Sequence, residues 1–359
     1  MPVYLDPNYP SNSMATQTKM FSNRPPAAFH ERSGKCITIG LINNMPDGAL
    51  DATERQFLSL LNSASEGMLV CLSFHALPNV PRGEVGARHV SKCYSSTENL
   101  WGKSLDGLIV TGREPLTPNL TDEPYWESLV DVLEWAKNNT NSTIWSCLAA
   151  HAALLHMDGI GRIRSNGKYS GVFECDRISN HPLTADAPSS FKLPHSRWNG
   201  LPEDALISCG YSVLTRSADA GVDTFIKQYK SLFVFFQGHP EYEANTLLLE
   251  YRRDIGRYFR RETNSYPLMP RNYFDRETAI RLTTLQNEAI SQPREDLLAE
   301  ISAALEMTRI RSTWHSTSTR IYRNWLEYIC AQKELRLKEK ALPSQHTHNP
   351  VSPHQRISF

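Results

Sequence analysis

Short apolar runs rich in β-branched residues alternate along this chain with longer segments whose apolar residues recur every three or four positions. That alternation calls for a mainly parallel sheet covered by helices. The first run, Cys36 to Ile42 (CITIGLI), leads through a turn at Asn43 to Gly48 into a helical stripe of Leu50, Phe57, Leu58, Leu60 and Leu61. Leu69 to Phe74 gives a second strand. Leu105 to Thr111 (LDGLIVT) gives a third, apolar enough to be buried on both faces. Tyr125 to Lys137 carries Trp126, Leu129, Val130, Leu133 and Trp135 at helical intervals behind Pro124. Ser142 to Ser146 (STIWS) is a short strand that runs straight into Cys147 and an Ala/Leu helix.

After Gly159 the pattern shifts to short strands and Gly/Pro turns: Ser170 to Cys175, Ser212 to Thr215, Val222 to Gln228 and Leu232 to Gln237, then a helix from about Ala244 to Arg261. These are expected to finish the same sheet. Residues 35–275 thus read as one doubly wound α/β domain, and 276–335 as a helical C-terminal extension carrying Trp314, Ile321, Trp325, Leu326 and Tyr328. Residues 1–34 and 336–359, rich in Pro, Ser and Asn and without periodicity, are expected to be disordered.

Composition narrows the function classes. Lys plus Arg and Asp plus Glu both number 38, so no net field gathers phosphates, and nucleic acid is not an expected partner. The longest apolar stretch, Ile144 to Leu155, is broken by Ser146 and His151 and is too short to cross a bilayer, so no membrane association is expected. The N-terminus lacks the basic start and apolar core of a secretory signal, and a cytoplasmic address follows. The 7 cysteines form an odd set without a CxxC pair, which predicts reduced thiols.

Chemistry concentrates at Cys147. A strand-to-helix junction exposes a side chain at the carboxyl end of the sheet, favours a thiolate through the helix N-terminus, and offers the backbone N–H groups of Cys147 or Leu148 to an oxyanion. A buried structural cysteine is the competing reading for that position alone. Gly238-His239-Pro240-Glu241 supplies a partner, because it follows the Leu232 to Gln237 strand and falls on the same rim. His239 can take the thiol proton, and Glu241 can bend back to orient the imidazole. His151 stands one turn from Cys147 on the same helix face and is the rival partner. No third residue completes a metal site there, and no metal is expected.

These residues resemble the homoserine O-acyltransferases of methionine biosynthesis, of the homoserine O-succinyltransferase type. The resemblance rests on INNMPDGALDATERQFLSLL from Ile42, DGLIVTG from Asp106, PYWESLVDVLEWAKNNTNSTIWSC ending at Cys147, KYSGVFE from Lys168, LPHSRW from Leu193, GHPEYEANTLLLEYRRD from Gly238 and WHSTSTRIYRNWLEYI from Trp314. It covers about 36–275 and again 312–330, leaving 277–308 outside. It implies a fold like that of class I glutamine amidotransferases, with Cys147 as acylated nucleophile, His239 as base and Glu241 as its orienter. It further implies substrate contacts for Lys168, Ser196, Arg197 and Arg253, an acyl-CoA co-substrate with no bound cofactor, L-homoserine as acceptor, and a homodimer. A cation such as Arg253 or Arg197 suits the homoserine carboxylate.

The chain departs from the family where Leu148 and His151 replace the usual Trp and Gln. By alignment, the position that sets acetyl or succinyl preference is Leu116. Leucine removes the repulsion a glutamate would exert on a succinyl carboxylate, and Arg113 can attract it, so succinyl-CoA is the expected donor. Acetyl-CoA, or another amino acid as acceptor, stands as the alternative. A glutamine amidotransferase-like hydrolase is disfavoured by the missing glycines around Cys147, and a non-catalytic binding protein by the retained Cys147, His239 and Glu241.

Overall fold

The structure, a computed structural model, describes residues 3–5, 36–102, 105–292, 294 and 296–341. The elements run in sequence from β1 (Val3–Leu5), β2 (Cys36–Ile42), α1 (Leu50–Ala64), β3 (Leu69–Ala76), α2 (Glu84–Cys93), β4 (Ser95–Ser96) and α3 (Glu98–Trp101). There follow β5 (Gly107–Val110), α4 (Trp126–Asn139), β6 (Ser142–Ser146), α5 (Leu148–Asp158), β7 (Ile163–Arg177), β8 (Ser190–Gly200) and α6 (Glu203–Ser208). The rest comprises β9 (Ser212–Val213), β10 (Thr215–Ser217), β11 (Gly221–Val222), β12 (Thr224–Gln228), β13 (Leu232–Phe236), α7 (Thr246–Phe259), α8 (Arg276–Ser291), α9 (Asp296–Glu306) and α10 (His315–Ala341).

The main sheet runs β1-β3-β2-β5-β6-β13-β12-β9, with β4 beside β3; it is parallel from β1 to β13 and antiparallel at β12 and β9. Its central strands are apolar on both faces because helices cover both. Along β13, Leu232, Val234 and Phe236 join the core cluster that holds α1 and α10, while Phe233 and Phe235 join the cluster of α4 and α5. Strand alternation alone produces that division.

Three sequence expectations need correction. The strands after Gly159 do not all finish one sheet: β7, β8, β10 and β11 form a separate four-stranded sheet in the order β11-β10-β7-β8. Its long β7–β8 hairpin is antiparallel with a register shift between Arg164 and Tyr169; the first half of β7 is polar and largely exposed, and buried runs at Ser170–Phe173 and Leu193–His195 follow in the two strands. Within the expected N-terminal disordered segment, Val3–Leu5 is a buried strand pairing with β3; the remainder of 1–34 lies outside the described residues. The expected boundary at 335/336 falls inside a helix, since α10 continues to Ala341; 342–359 lie outside the described residues.

The C-terminal helices brace the sheet. On α10, Trp325 Nε1 donates to Ser142 Oγ at 2.9 Å, and Lys333 Nζ reaches Asp106 Oδ2 and the Cys36 carbonyl, both at 2.7 Å. Those groups mark the amino ends of β6, β5 and β2, so α10 seals the edge opposite the rim where β6 delivers Cys147. Gly171 (φ +143°) lets Arg271 lie directly against β7, where a Cβ would collide with the Arg271 backbone.

Candidate active site

Cys147 occupies the turn between β6 and α5 with φ +51° and ψ −112°, a conformation a side-chain-bearing residue adopts only at a cost of about 1–3 kcal/mol. The surroundings enforce it. Phe236 pairs with Ser146 in the parallel ladder, and the next bond of that ladder runs from the Cys147 N–H to the Phe236 carbonyl at 2.7 Å. This corrects an expectation: the Cys147 N–H is already spent and is not an oxyanion donor. Leu148, the first helical residue, retains an N–H with no intrahelical acceptor. Gly112, just after β5, makes room for it, because a Cβ there would stand 2.7 Å from the Leu148 nitrogen and 2.8 Å from that of Ala149.

His239 arrives from the turn after β13, pinned by its N–H to the Pro194 carbonyl at 2.8 Å and stacked on Tyr242 at 4.2 Å between ring centroids. Its Nδ1 lies 2.8 Å from Glu241 Oε1. Burial opposes a charged ring here, but the Glu241 carboxylate and the nearby Cys147 sulfur outweigh it and hold the His239 pKa well above its ordinary value. The imidazolium thus sits between sulfur and carboxylate. Tyr242 is fixed in turn by Trp314, whose Nε1 donates to its carbonyl at 2.8 Å, so the C-terminal extension bears on the turn that carries His239.

His151 does not pair with Cys147. It lies against Gln237 Oε1 at 3.1 Å, and the Gln237 amide is oriented by donating its Nε2 to the Val222 carbonyl at 2.5 Å. Burial pushes the ring pKa down to about 3, so His151 is a neutral wall of the site.

Cys147, His239, Glu241 and His151 open into a cavity of about 460 Å³. Lys168, Ser196, Arg197 and Arg253 also line it. Ser196 Oγ donates to Glu250, which accepts from the Tyr242 hydroxyl at 2.7 Å, and Lys168 Nζ lies 3.1 Å from Asp254. Arg253 sits on the rim with its guanidinium 2.8 Å from Asp254. Arg197 is buried; its donors meet the Asn199 and Ala220 carbonyls and, from Nε at 3.3 Å, His195 Nδ1. His195 Nε2 stands 3.3 Å from Asp223, whose other Oδ1 contact is the Gly238 N–H at 3.0 Å. Burial, then the Arg197 and His239 charges, push the His195 pKa well down, so the ring that accepts from Arg197 is neutral, and its Nε2 is buried without a hydrogen-bond partner.

A family model described as homoserine O-succinyltransferase matches residues 2–336. The chain belongs to the homoserine O-succinyltransferase family. The homoserine O-succinyltransferase of Rhodopseudomonas palustris is 42% identical over 332 residues, covering 92% of this chain and 100% of its own. That of Bradyrhizobium japonicum is 43% identical over 294 residues, covering 82% and 90%. Among solved structures, a glutamine amidotransferase from Thermotoga maritima aligns with a TM-score of 0.41 at 11% identity, over 82% of this chain and 98% of that one. The homoserine O-succinyltransferase family match runs through 277–308, which corrects the narrower extent drawn from motifs.

In this member of the family, the structure thus gathers every motif-derived site residue around one cavity except Leu116. Leu116 is exposed, donates its N–H to Glu123 at 2.7 Å and does not line the cavity, whereas Arg113, Glu114 and Pro115 do. Gly112, Glu250, Arg162 and the His195–Asp223 pair are site elements that sequence reasoning missed. Gly112 alone left a local signal, as the glycine that ends DGLIVTG. Two carboxylate-histidine groupings also emerge, Cys175–His195–Asp223 and Asp51–Glu54–His89. In the first, Asp223 accepts from Thr215, Thr224 and Gly238 with Arg197 against the histidine; in the second, Glu54 accepts from Tyr94 at 2.6 Å.

Proposed function

We propose that the protein transfers the succinyl group of succinyl-CoA to the hydroxyl of L-homoserine through an acyl-enzyme on Cys147, in methionine biosynthesis. Family membership supports the reaction, and the observation that carries the mechanism is the Cys147–His239–Glu241 alignment at the wall of a substrate-sized cavity.

The Cys147 thiolate attacks the thioester carbonyl carbon, and the C=O electron pair moves onto oxygen, within reach of the Leu148 N–H. Collapse breaks the C–S bond to CoA, whose sulfur takes the proton from His239. The neutral imidazole then removes the hydroxyl proton of homoserine as its oxygen attacks the acyl-enzyme. Collapse of the second tetrahedral intermediate releases O-succinylhomoserine and restores the thiolate beside protonated His239. Glu241 keeps the imidazole in the tautomer that presents Nε2 to both reacting sulfur and oxygen.

Arg253 at the rim supplies a cation for the homoserine carboxylate, and the Glu250 cluster with Ser196, Tyr242 and Lys168 an acceptor for its ammonium. Succinyl-CoA enters as co-substrate. We assign the enzyme to the cytoplasm, where both small-molecule substrates are made, and to a homodimer on the family resemblance. Intact mass after mixing with succinyl-CoA or acetyl-CoA, without acceptor, tests the reading. A succinyl adduct present in the wild type and absent in Cys147→Ala is expected. No adduct from either donor overturns it, and glutamine hydrolysis by the same preparation moves the amidotransferase-like reading ahead.

A further inference from the structure

The cavity wall carries unspent positive charge, and its position is defined. Four lining carboxylates each have a basic partner: Glu114 with Arg257 at 3.2 Å, Glu241 with His239 at 2.8 Å, Glu243 with Arg55 at 3.0 Å, and Glu250 with Lys168 at 3.8 Å. Of the lining cations, Arg253 is held by Asp254 and Arg197 by carbonyls and His195. Two remain. Among the described residues, Arg113 makes only long contacts to the Glu114 and Pro81 carbonyls, at 3.4 and 3.5 Å, and Arg162 donates Nη2 to the Pro118 carbonyl at 3.1 Å. Neither forms an ion pair within 4.0 Å there.

Arg162 is the more telling of the two. It is half-buried, and its Nη1 is buried without a hydrogen-bond partner. Arg162 lines the same cavity as Cys147, and a buried guanidinium nitrogen left without a hydrogen bond costs free energy. Burial pushes the Arg162 pKa down, and Glu123 only partly offsets it. Glu123 Oε1 accepts from the Leu116 and Thr117 N–H groups at 2.7 and 2.9 Å, while its Oε2 is buried without a hydrogen-bond partner and comes no nearer than 4.0 Å to the Arg162 nitrogens.

The two arginines also share a neighbourhood. Burial and Glu123 push the Tyr125 phenol up, and both guanidinium charges oppose that shift. The Arg162 charge, after burial and alongside Arg197, helps hold down His151, one turn along α5 from Cys147. Succinyl differs from acetyl by a carboxylate three C–C bonds beyond the thioester carbonyl, about 4 Å when extended.

We propose that Arg162, assisted by Arg113, binds the terminal carboxylate of the succinyl donor and so selects a dicarboxylic acyl thioester over acetyl. This rests on the acyl-transfer reading above. Donor choice is then exercised by a charge arriving from the start of β7, rather than by the exposed Leu116.

The test is the ratio of kcat/KM for succinyl-CoA to that for acetyl-CoA, with homoserine as acceptor, in wild type, Arg162→Gln, Arg162→Lys and Arg113→Gln. Losing a charge-assisted hydrogen bond predicts a ratio about 10- to 100-fold lower in Arg162→Gln, partly restored in Arg162→Lys, with a smaller fall in Arg113→Gln. A folded Arg162→Gln whose ratio is unchanged, or whose two activities fall together, overturns the proposal, the latter outcome marking Arg162 as a mere partner for Glu123. If Arg162→Gln does not fold, an unchanged ratio in both Arg162→Lys and Arg113→Gln overturns it equally. A wild-type protein that uses neither donor overturns the acyl-transfer reading itself, which is a different result from an active enzyme with an unaltered ratio.

Discussion

Replacing Gly112 by alanine tests how the oxyanion site is built. The added Cβ would stand 2.6 Å from Leu148 Cβ, 2.7 Å from the Leu148 nitrogen and 2.8 Å from the Ala149 nitrogen. Two of those atoms are backbone at the start of α5 and cannot rotate away. To reach ordinary contact at 3.4 Å, the helix start and the Gly112 loop must separate by about 0.7 Å. Cys147 cannot follow freely, because its N–H is tied to Phe236 and its backbone is already in a strained conformation. The displacement therefore falls between the sulfur and the Leu148 N–H. A misplacement approaching 1 Å costs about 100-fold in rate, and loss of an oxyanion donor about 100- to 1000-fold. We expect Gly112→Ala to slow acyl-enzyme formation by about 100-fold or more, in single-turnover quench experiments read by intact mass with saturating succinyl-CoA. Alkylation of Cys147 by iodoacetamide should change far less, since that reaction needs the thiolate and no oxyanion site. Wild-type acylation in Gly112→Ala, or equal losses in acylation and alkylation, would refute the reasoning.

Three other perturbations have defined outcomes. Glu241→Gln removes a charge that raises the His239 pKa, so the His239 Cε1–H resonance should titrate at lower pH than in wild type. Because the raised folded value gives stability that is complete below the unfolded pKa and lost as pH rises through the folded one, wild type should lose more stability than the variant across the alkaline range, as read by urea unfolding. His151→Leu removes a ring that must stay neutral down to about pH 3, so wild type should lose more stability than the variant as pH falls from about 6.5 toward that value. Gly171→Ala places a methyl group against the Arg271 backbone at a φ that favours glycine; a loss of about 1–3 kcal/mol in urea unfolding is expected, and an unchanged midpoint would contradict the close β7–Arg271 approach.

What could be read from local sequence was the part of the molecule whose burial is written locally. The CITIGLI and STIWS segments become β2 and β6 with the expected bounds; CITIGLI does so because a parallel strand covered on both faces is apolar at nearly every position. The nucleophile was legible for the same reason. A strand ending at Ser146 and a helix starting at Leu148 leave Cys147 nowhere to be but the junction. His239 and Glu241 followed from the same logic applied to β13, and their 2.8 Å contact needs only two residues of separation.

The rest depended on partners far along the chain. The β7–β8 hairpin mixes an exposed polar stretch with short buried runs and carries a register shift, so only the assembled structure separates it from the main sheet. Whether the Cys147 N–H is available is decided by Phe236, brought alongside by the ladder between β6 and β13. Which arginine is free is likewise a tertiary question, since a cation's partner is set by where the fold delivers each carboxylate: Glu243 reaches Arg55, Glu114 reaches Arg257, and no carboxylate reaches Arg162 within ion-pairing distance among the described residues. Sequence by itself determined the strands of the main sheet's core, the Cys147 junction and the proposed Cys147–His239–Glu241 trio, because those follow from periodicity and short-range geometry. Tertiary structure decided the oxyanion donor and the unspent charge, because both are properties of what remains after long-range hydrogen bonds and ion pairs have been made.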